Sequence, residues 1–228
     1  MIIAAGEGAT ALAIAEAARA SGWRVTLARS SGIAERPASP KVDPAPAAAH
    51  HSSMKKDSII DWNPASYVSA GALAIKASSP EPVDVLVLVS EPERGGPALF
   101  DGAPGSLAAN LEESTLGPIW LAREMIHRFE AGKSGSVLAV SVESPEEIQG
   151  VPGEGAWTAY LRSSFRGFGE GLFDRAQGAR WKAWGIADRS GKPEALAAFA
   201  IALLDEGKEA KSGRWLPFNG KSGLFGIF

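Results

Sequence analysis

Short apolar stretches alternate along the chain with longer stretches in which apolar residues recur every three or four positions. Each apolar stretch is typical of a buried strand, and each periodic stretch is typical of a helix that covers it. The apolar stretches are residues 1–5, 24–28, 58–61, 83–89, 136–142, 181–186 and 214–217. Strands that alternate with helices over the whole chain predict an α/β fold with a parallel sheet of about seven strands.

Local breaks in the pattern predict how the elements are joined. Residues 29–57 carry four prolines in an Ala/Ser background, which predicts a flexible Pro/Ala-rich loop inside a single domain that covers residues 1–228. Asn63 followed by Pro64 predicts a helix start there. Pro118 interrupts the long helical stretch 107–129, so we expect a kink at that point.

Composition and charge exclude several kinds of function. The net charge is −3 and no basic block occurs, so nucleic acid is not an expected partner. The chain has no cysteine, which excludes a disulfide framework and thiol chemistry. No apolar run approaches the roughly 20 residues of a membrane span, and no signal peptide is evident. We therefore expect a cytoplasmic protein. His50 and His51 lack partners at metal-ligand spacing, so no metal site is predicted.

The first strand, helix and second strand form a βαβ unit with a short glycine motif. Gly6, Gly8 and Ala11 match the G-x-G-x-x-A form of the dinucleotide-binding fingerprint. Glu7 argues against that interpretation, because it places a carboxylate beside the helix N-terminus that would receive pyrophosphate. Arg29 stands at the end of the second strand, where arginine suits a 2′-phosphate, so a bound cofactor would be NADP rather than NAD.

The segments VDVLVLV, GSVLAVS, AWTAYLRSSFRGFGEGL and SGRWLPFNGKSG follow one another along the chain. In this order they resemble the short-chain dehydrogenase/reductase family over essentially the whole chain. VDVLVLV resembles the strand before that family's Asn-Asn-Ala-Gly turn, and GSVLAVS resembles the strand that carries its catalytic serine. AWTAYLRSSFRGFGEGL resembles its Tyr-x-x-x-Lys helix, and SGRWLPFNGKSG resembles its closing strand and turn. The resemblance implies a Rossmann-type, doubly wound parallel sheet with helices on both faces, and it implies hydride transfer with a nicotinamide cofactor.

The residues that the family uses for this chemistry are largely replaced. Tyr160 keeps the position of the catalytic tyrosine, but Ser164 stands where the lysine is expected. Val142 stands in the serine position and Ser114 in the asparagine position. A shifted loop would bring Ser144 in as a substitute serine, whereas Asn110 lies one turn before Ser114 and is too far away. The chain therefore resembles a degenerate, pseudoenzyme-like member of the family.

The cofactor loop and the substrate lid also differ from the family pattern. Thr10 and Leu12 replace the two later glycines of its loop, and Leu12 is expected to crowd the pyrophosphate position. Leu88-Val89-Ser90-Glu91 replaces the Asn-Asn-Ala-Gly turn, and residues 187–212 are too few for a lid. We therefore expect no cofactor, with NADP as the alternative.

These losses point to a structural role, and on its own the chain is not expected to be an enzyme. The leading hypothesis is an inactive subunit that stabilises an active paralogue in a hetero-oligomeric dehydrogenase of the acyl-CoA or acyl-thioester type. Helices 107–129 and 157–177, which form the subunit interface in the family, would bind that paralogue or a second copy of the chain. Their apolar residues Ile119, Trp120, Ile126, Phe129, Phe165, Phe168 and Phe173 predict this association.

Two alternatives to the structural role stay open. One is an atypical NADP-dependent oxidoreductase that uses Tyr160 with Ser144. The other is a regulatory sensor that binds a nucleotide without turnover.

Overall fold

The computed structural model describes residues 1–6, 8–30, 59–79, 81–91, 103–143, 155–206 and 212–220. Within these residues seven strands form one sheet, and every neighbouring pair is parallel. The strands are β1 Ile2–Ala5, β2 Val25–Ser30, β3 Ile59–Trp62, β4 Val85–Ser90, β5 Ser136–Val142, β6 Lys182–Asp188 and β7 Trp215–Phe218. Their spatial order is β3-β2-β1-β4-β5-β6-β7, which confirms the predicted Rossmann-type fold. The predicted loop 29–57 lies outside the described residues except at its first two positions.

In the part of the chain that the structure describes, six α-helices connect the strands. They are α1 Ala9–Ala20, α2 Tyr67–Ala77, α3 Pro104–Leu111, α4 Gly117–Gly132, α5 Ala156–Ala176 and α6 Pro193–Glu206. A π-helical turn, Glu112–Leu116, joins α3 to α4. Helices α1 and α6 cover one face of the sheet, and α2, α4 and α5 cover the other. None of these helices combines the length and the apolar character that a bilayer span needs.

Strand β4, at the centre of the sheet, is apolar at every position before Ser90. Successive side chains of a strand point to opposite faces, so a strand covered on both sides must be apolar throughout. Leu86 and Leu88 belong to the core under α2, α4 and α5, whereas Val85, Val87 and Val89 belong to the core under α1 and α6. All six residues of β4 are buried.

The apolar residues of the two long helices mostly face this domain's own core. Ile126, Phe129, Phe165 and Phe173 are buried in the core under α2, α4 and α5, and Trp120 and Phe168 pack partly buried against it. The premise that these side chains offer an exposed surface for association was therefore wrong. The periodicity gave the apolar face of each helix, but the sheet already covers it.

Two local predictions about helices needed correction. Helix α2 begins at Tyr67 and is capped by Ser66, whose hydroxyl accepts a hydrogen bond from the Ser69 amide (3.2 Å). Asn63 instead closes a turn by accepting from the Ala65 amide (3.0 Å). The break expected at Pro118 takes the form of the π-helical turn, because proline cannot donate to the carbonyl four residues earlier and its ring displaces that group.

Tyr67 links α2 to α4 and provides a titration test of this contact. Its ring meets Trp120 edge-on (5.7 Å between centroids), and its hydroxyl donates a hydrogen bond to the Glu124 carboxylate. That hydrogen bond is the main cause that raises the Tyr67 pKa, with burial and the Glu124 charge adding to it. The bond therefore stabilises the fold at pH values below the ordinary phenol pKa, and its contribution is lost as the pH rises through the raised pKa.

We expect the phenolate absorbance of a Tyr160→Phe variant, which retains Tyr67 as its one tyrosine, to have a midpoint above about 10. Adding Glu124→Ala should lower the midpoint towards the value of the chain in denaturant, because the acceptor and the negative charge are both removed. An unchanged midpoint in the double variant would show that Glu124 does not hold this hydroxyl.

Candidate functional site

A cleft opens at the carboxyl ends of the central strands, between β1 and β4. The chain proceeds from β1 towards β3 on one side and from β4 towards β7 on the other, so the strand order reverses here. Open parallel sheets bind their ligands at such a switch point. The cavity measures about 210 Å³, and its walls come from the ends of β1 to β4, the π-helical turn with its flanking residues, and the first turns of α5.

The carboxylate of the residue that follows β4 lies at the N-terminus of α1. Glu91 directly follows β4, and its Oε2 accepts a hydrogen bond from the Thr10 amide at 3.0 Å. Helix α1 has Gly8 at its N-cap and no acidic residue in its first turn, so Glu91 supplies the missing cap. Gly8 permits this approach: its φ of 102° is unfavourable for other residues, and a Cβ there would lie 2.5 Å from the same oxygen.

This arrangement changes the interpretation of the glycine motif. The positive end of a helix dipole and its unpaired amides form the site that binds a pyrophosphate in dinucleotide-binding folds. Here an internal anion holds that position, and a phosphate group would meet a like charge. Glu7, which was expected to supply such a charge, lies outside the described residues. Leu12 does not line the cavity and is 40% exposed, so its expected crowding of the cleft is wrong.

The predicted cofactor residues separate into two groups. Gly6 and Gly8 line the cavity, and a Cβ at Gly6 would come within 2.7 Å of the Val89 carbonyl oxygen. Ala11 is buried in the core beneath α1 and does not reach the cavity. Arg29 pairs with Asp61 across β2 and β3, with 2.8 Å between Nε and Oδ1, and this hydrogen bond raises the Arg29 pKa.

The predicted catalytic residues are not brought together. Tyr160 is 49% exposed and stacks on Trp157 (5.2 Å between centroids), outside the lining of the cavity. Thr158 and Leu161 of the same helix point into the cavity instead. Val142 and Ser164 are partly buried and do not line it, and Ser144 lies outside the described residues.

The two residues considered for the asparagine position both reach the cavity. Ser114 lines it as expected for its position, and Asn110 lines it as well. Asn110 thus contributes to the cavity wall, and the expectation that it is too far away to replace the catalytic asparagine stays a prediction. The π-helical turn Glu112–Leu116 contains Ser114 and starts two residues after Asn110. A π-helical turn is wound more widely than an α-helix. The side chains before and after it therefore point in other directions than a regular α-helix would give them.

An ion cluster fills the carboxyl end of β5, close to the position of the expected catalytic serine. Glu143 directly follows β5 and is 6% exposed. Its Oε1 accepts from Arg166 of α5 at 2.9 Å, and its Oε2 accepts from Arg189, which follows β6, at 2.6 Å. Arg166 also lies over the Trp215 ring at 5.2 Å. The cluster ties β5, β6, β7 and α5 together. The described residues show no group of three histidine or acidic side chains that would hold a metal ion.

Solved structures with the same architecture cover nearly the whole chain. A short-chain dehydrogenase/reductase family oxidoreductase from Brucella ovis, in complex with a partially ordered NAD, has a TM-score of 0.66 at 17% identity over 96% of this chain and 98% of its own. The RhlG/NADP active-site complex of Pseudomonas aeruginosa has a TM-score of 0.70 at 14% identity over 96% and 94%. This chain has the short-chain dehydrogenase/reductase fold.

A third structure extends the range of chemistry found on this fold. The enoyl-[acyl-carrier-protein] reductase (NADH) from Aquifex aeolicus has a TM-score of 0.69 at 13% identity over 99% of this chain and 97% of its own. No protein-family model and no curated protein matches the sequence. Likeness at this level of identity establishes the short-chain dehydrogenase/reductase fold and leaves the activity to be argued from the site.

The electrostatics of the described part of the cleft do not favour the phosphates of a dinucleotide. Glu91 fills the anion position of α1, and Arg29 is paired with Asp61. The charged residues among the described lining of the cavity are Glu91 and Glu113, and no lysine or arginine is present in it. A dinucleotide carries two phosphates and needs the opposite balance of charge.

Proposed function

We propose that this chain is a catalytically inactive, short-chain dehydrogenase-like subunit that binds no dinucleotide. It stabilises an active paralogue in a hetero-oligomeric dehydrogenase of the acyl-CoA or acyl-thioester type. The observation that carries the proposal is the Glu91 carboxylate at the N-terminus of α1, because it replaces the group that a cofactor would place there. The fold is retained while its anion site is filled from within the chain.

The surroundings of Tyr160 support the same conclusion. A phenol acts as an acid or base near neutral pH when a cation stands beside it. Ser164 occupies the position where the family resemblance implies a lysine. Arg166, two residues further along α5, is held by Glu143 and by the face of Trp215. Tyr160 itself stacks on Trp157 at the surface.

The outer face of α5 supports association with a paralogue of the same fold. Ser163, Gly167 and Gly171 are exposed and follow one another at intervals of four residues, which places them in a line along the helix. A Cβ added at Gly167 or Gly171 would meet nothing within 4 Å. A helix of a partner can therefore approach this line closely. The exposed small residues of α5, and not the buried aromatic side chains, therefore support association.

The second candidate is an NADP-dependent oxidoreductase, because proteins of the same fold are found in complex with NAD or NADP. Solved structures of this fold in complex with NAD or NADP favour a cofactor and argue against a chain that binds none. In that case Glu91 would have to leave the N-terminus of α1, and Tyr160 would have to turn towards the cleft. The geometry of Glu91 and of the Arg29–Asp61 pair favours the first candidate.

Titration of the purified chain with NADH and NADPH tests these functions, with the tryptophan fluorescence as the signal. We expect no saturable change up to about 1 mM, the upper end of ordinary substrate affinities.

Light scattering should show a dimer or a larger assembly, and Gly167→Arg should dissociate it, because the long side chain blocks close approach. Saturable binding with turnover that Tyr160→Phe abolishes would establish the oxidoreductase. Binding without turnover would establish the nucleotide sensor, and a monomer that does not bind an active paralogue would contradict the scaffold.

A further inference from the structure

The cleft contains polar groups that have no hydrogen-bond partner among the described residues. Ser90 is the last residue of β4, lines the cavity and is 2% exposed. Its hydroxyl oxygen has no hydrogen-bond partner among the described residues. The Ser30 hydroxyl at the end of β2 lines the same cavity and is equally unsatisfied within that part of the structure. Buried hydroxyl groups are nearly always hydrogen-bonded, so two of them at one cavity indicate a ligand that pairs with them.

Glu91 determines the charge that such a ligand can carry. One carboxylate oxygen accepts from the Thr10 amide, and the other can accept from an O–H or N–H group in the cleft. The same carboxylate repels a phosphate or another carboxylate, because the described lining holds no cation that would offset it. The cleft therefore favours an uncharged ligand with donors over an anionic one.

The remaining walls determine its shape. Trp62 ends β3 and presents an aromatic side chain to the cavity, and Pro64 and Leu161 add apolar surface beside it. Such walls suit a flat ring, which stacks on or packs against them. The volume of about 210 Å³ lies below the roughly 300–1,000 Å³ of pockets for drug-sized ligands. The ligand is thus smaller than a dinucleotide.

We infer that the cleft binds an uncharged ring compound that carries hydroxyl or amine groups, of the chemical class of a nucleoside without phosphate, and that Glu91 excludes the phosphate esters of that class. This goes beyond the proposed function, because a stabilising subunit needs no ligand in its cleft. The cleft also differs from a cofactor site, because Glu91 rejects phosphate, and phosphates are the groups by which such folds hold a dinucleotide.

Adenosine and AMP form the matched pair of probes, because they differ by one phosphate. Isothermal titration of the full chain should give saturable binding of adenosine and at least about tenfold weaker binding of AMP, as expected where a like charge faces the phosphate. Ser90→Ala should weaken adenosine binding about three- to tenfold, because the hydroxyl partner is removed. Ser30→Ala provides the same test if the first variant folds poorly.

Glu91→Gln tests the source of the selectivity. The amide oxygen of glutamine can still accept from Thr10, so the cap is kept while the charge is removed, and the ratio between adenosine and AMP should fall to about threefold or less. Glu170→Gln, which removes an exposed carboxylate of α5, should leave the ratio unchanged. Absence of saturable adenosine binding, or equal binding of AMP by the parent chain, would overturn the inference. An unchanged ratio in Glu91→Gln would overturn the role assigned to that carboxylate.

Discussion

Gly169→Ala is expected to destabilise the folded chain by about 1–3 kcal/mol, the usual cost of overpacking, although alanine is the better helix former. Gly169 is buried in α5, and a Cβ there would lie 2.3 Å from Cζ2 of Trp215. The ring has no room to move away, because its other side lies close against Gly185 of β6. A Cβ at Gly185 would lie 2.3 Å from Cε3 of the ring. Phe173 meets the same ring edge-on at 5.6 Å between centroids. Trp215 thus lies in a slot that two glycines make.

Gly171→Ala is the matched control on the same helix. A Cβ at Gly171 meets nothing within 4 Å, so this variant should be neutral or up to about 1 kcal/mol more stable. Urea unfolding followed by tryptophan fluorescence gives both free energies of unfolding, and it is done in the Gly167→Arg background so that the association proposed for this helix face does not contribute. In the Gly169→Ala background, Trp215→Phe should cost less than it does in the parent, since the smaller ring removes the clash. Equal stabilities of Gly169→Ala and Gly171→Ala would show that the slot does not hold the indole.

The sequence predicted the sheet well because each strand carries its own evidence. Strand β4 is apolar in every position that both cores require, and β5 is bounded by Gly135 and contains only apolar or small residues. Such patterns depend on a few neighbouring residues, so they can be recognised without knowing the rest of the fold. The π-helical turn could not be predicted in the same way: Pro118 predicts a break in the helix, but the form of that break also depends on packing against a distant segment. Gly117 shows this packing: a Cβ there would lie 2.5 Å from Cβ of Pro64.

The decisive residues of the cleft were harder to find. Glu91 contacts Thr10 across 81 positions of the chain, and Glu143 contacts Arg189 across 46. No local pattern reports such pairs. One signal was present: both glutamates directly follow a buried strand, where the carboxyl ends of a parallel sheet meet. The apolar faces of α4 and α5 were predicted correctly as faces, but periodicity does not say whether a sheet or a partner covers them.

Glu143→Gln is expected to lower the free energy of unfolding by about 1.5–3 kcal/mol, the range for hydrogen bonds to charged groups. The carboxylate is the shared acceptor for Arg166 and Arg189, so an amide would turn one of its two acceptors into a donor that faces a donor. A pair buried on both sides would cost more, about 3–5 kcal/mol when broken. Here the two arginine side chains are 36% and 47% exposed, so water can solvate them once the carboxylate is gone.

Glu130→Gln separates this burial effect from the loss of an ion pair as such. Glu130 accepts from Arg175 through both of its oxygens, at 2.9 and 3.2 Å from Nη2, but the pair lies at the surface, where such contacts contribute about 0–1 kcal/mol. Urea unfolding at low and high salt should show a small, salt-sensitive loss for Glu130→Gln and a larger loss for Glu143→Gln that salt changes little. Equal losses in the two variants would mean that the Glu143 cluster behaves as an ordinary surface pair.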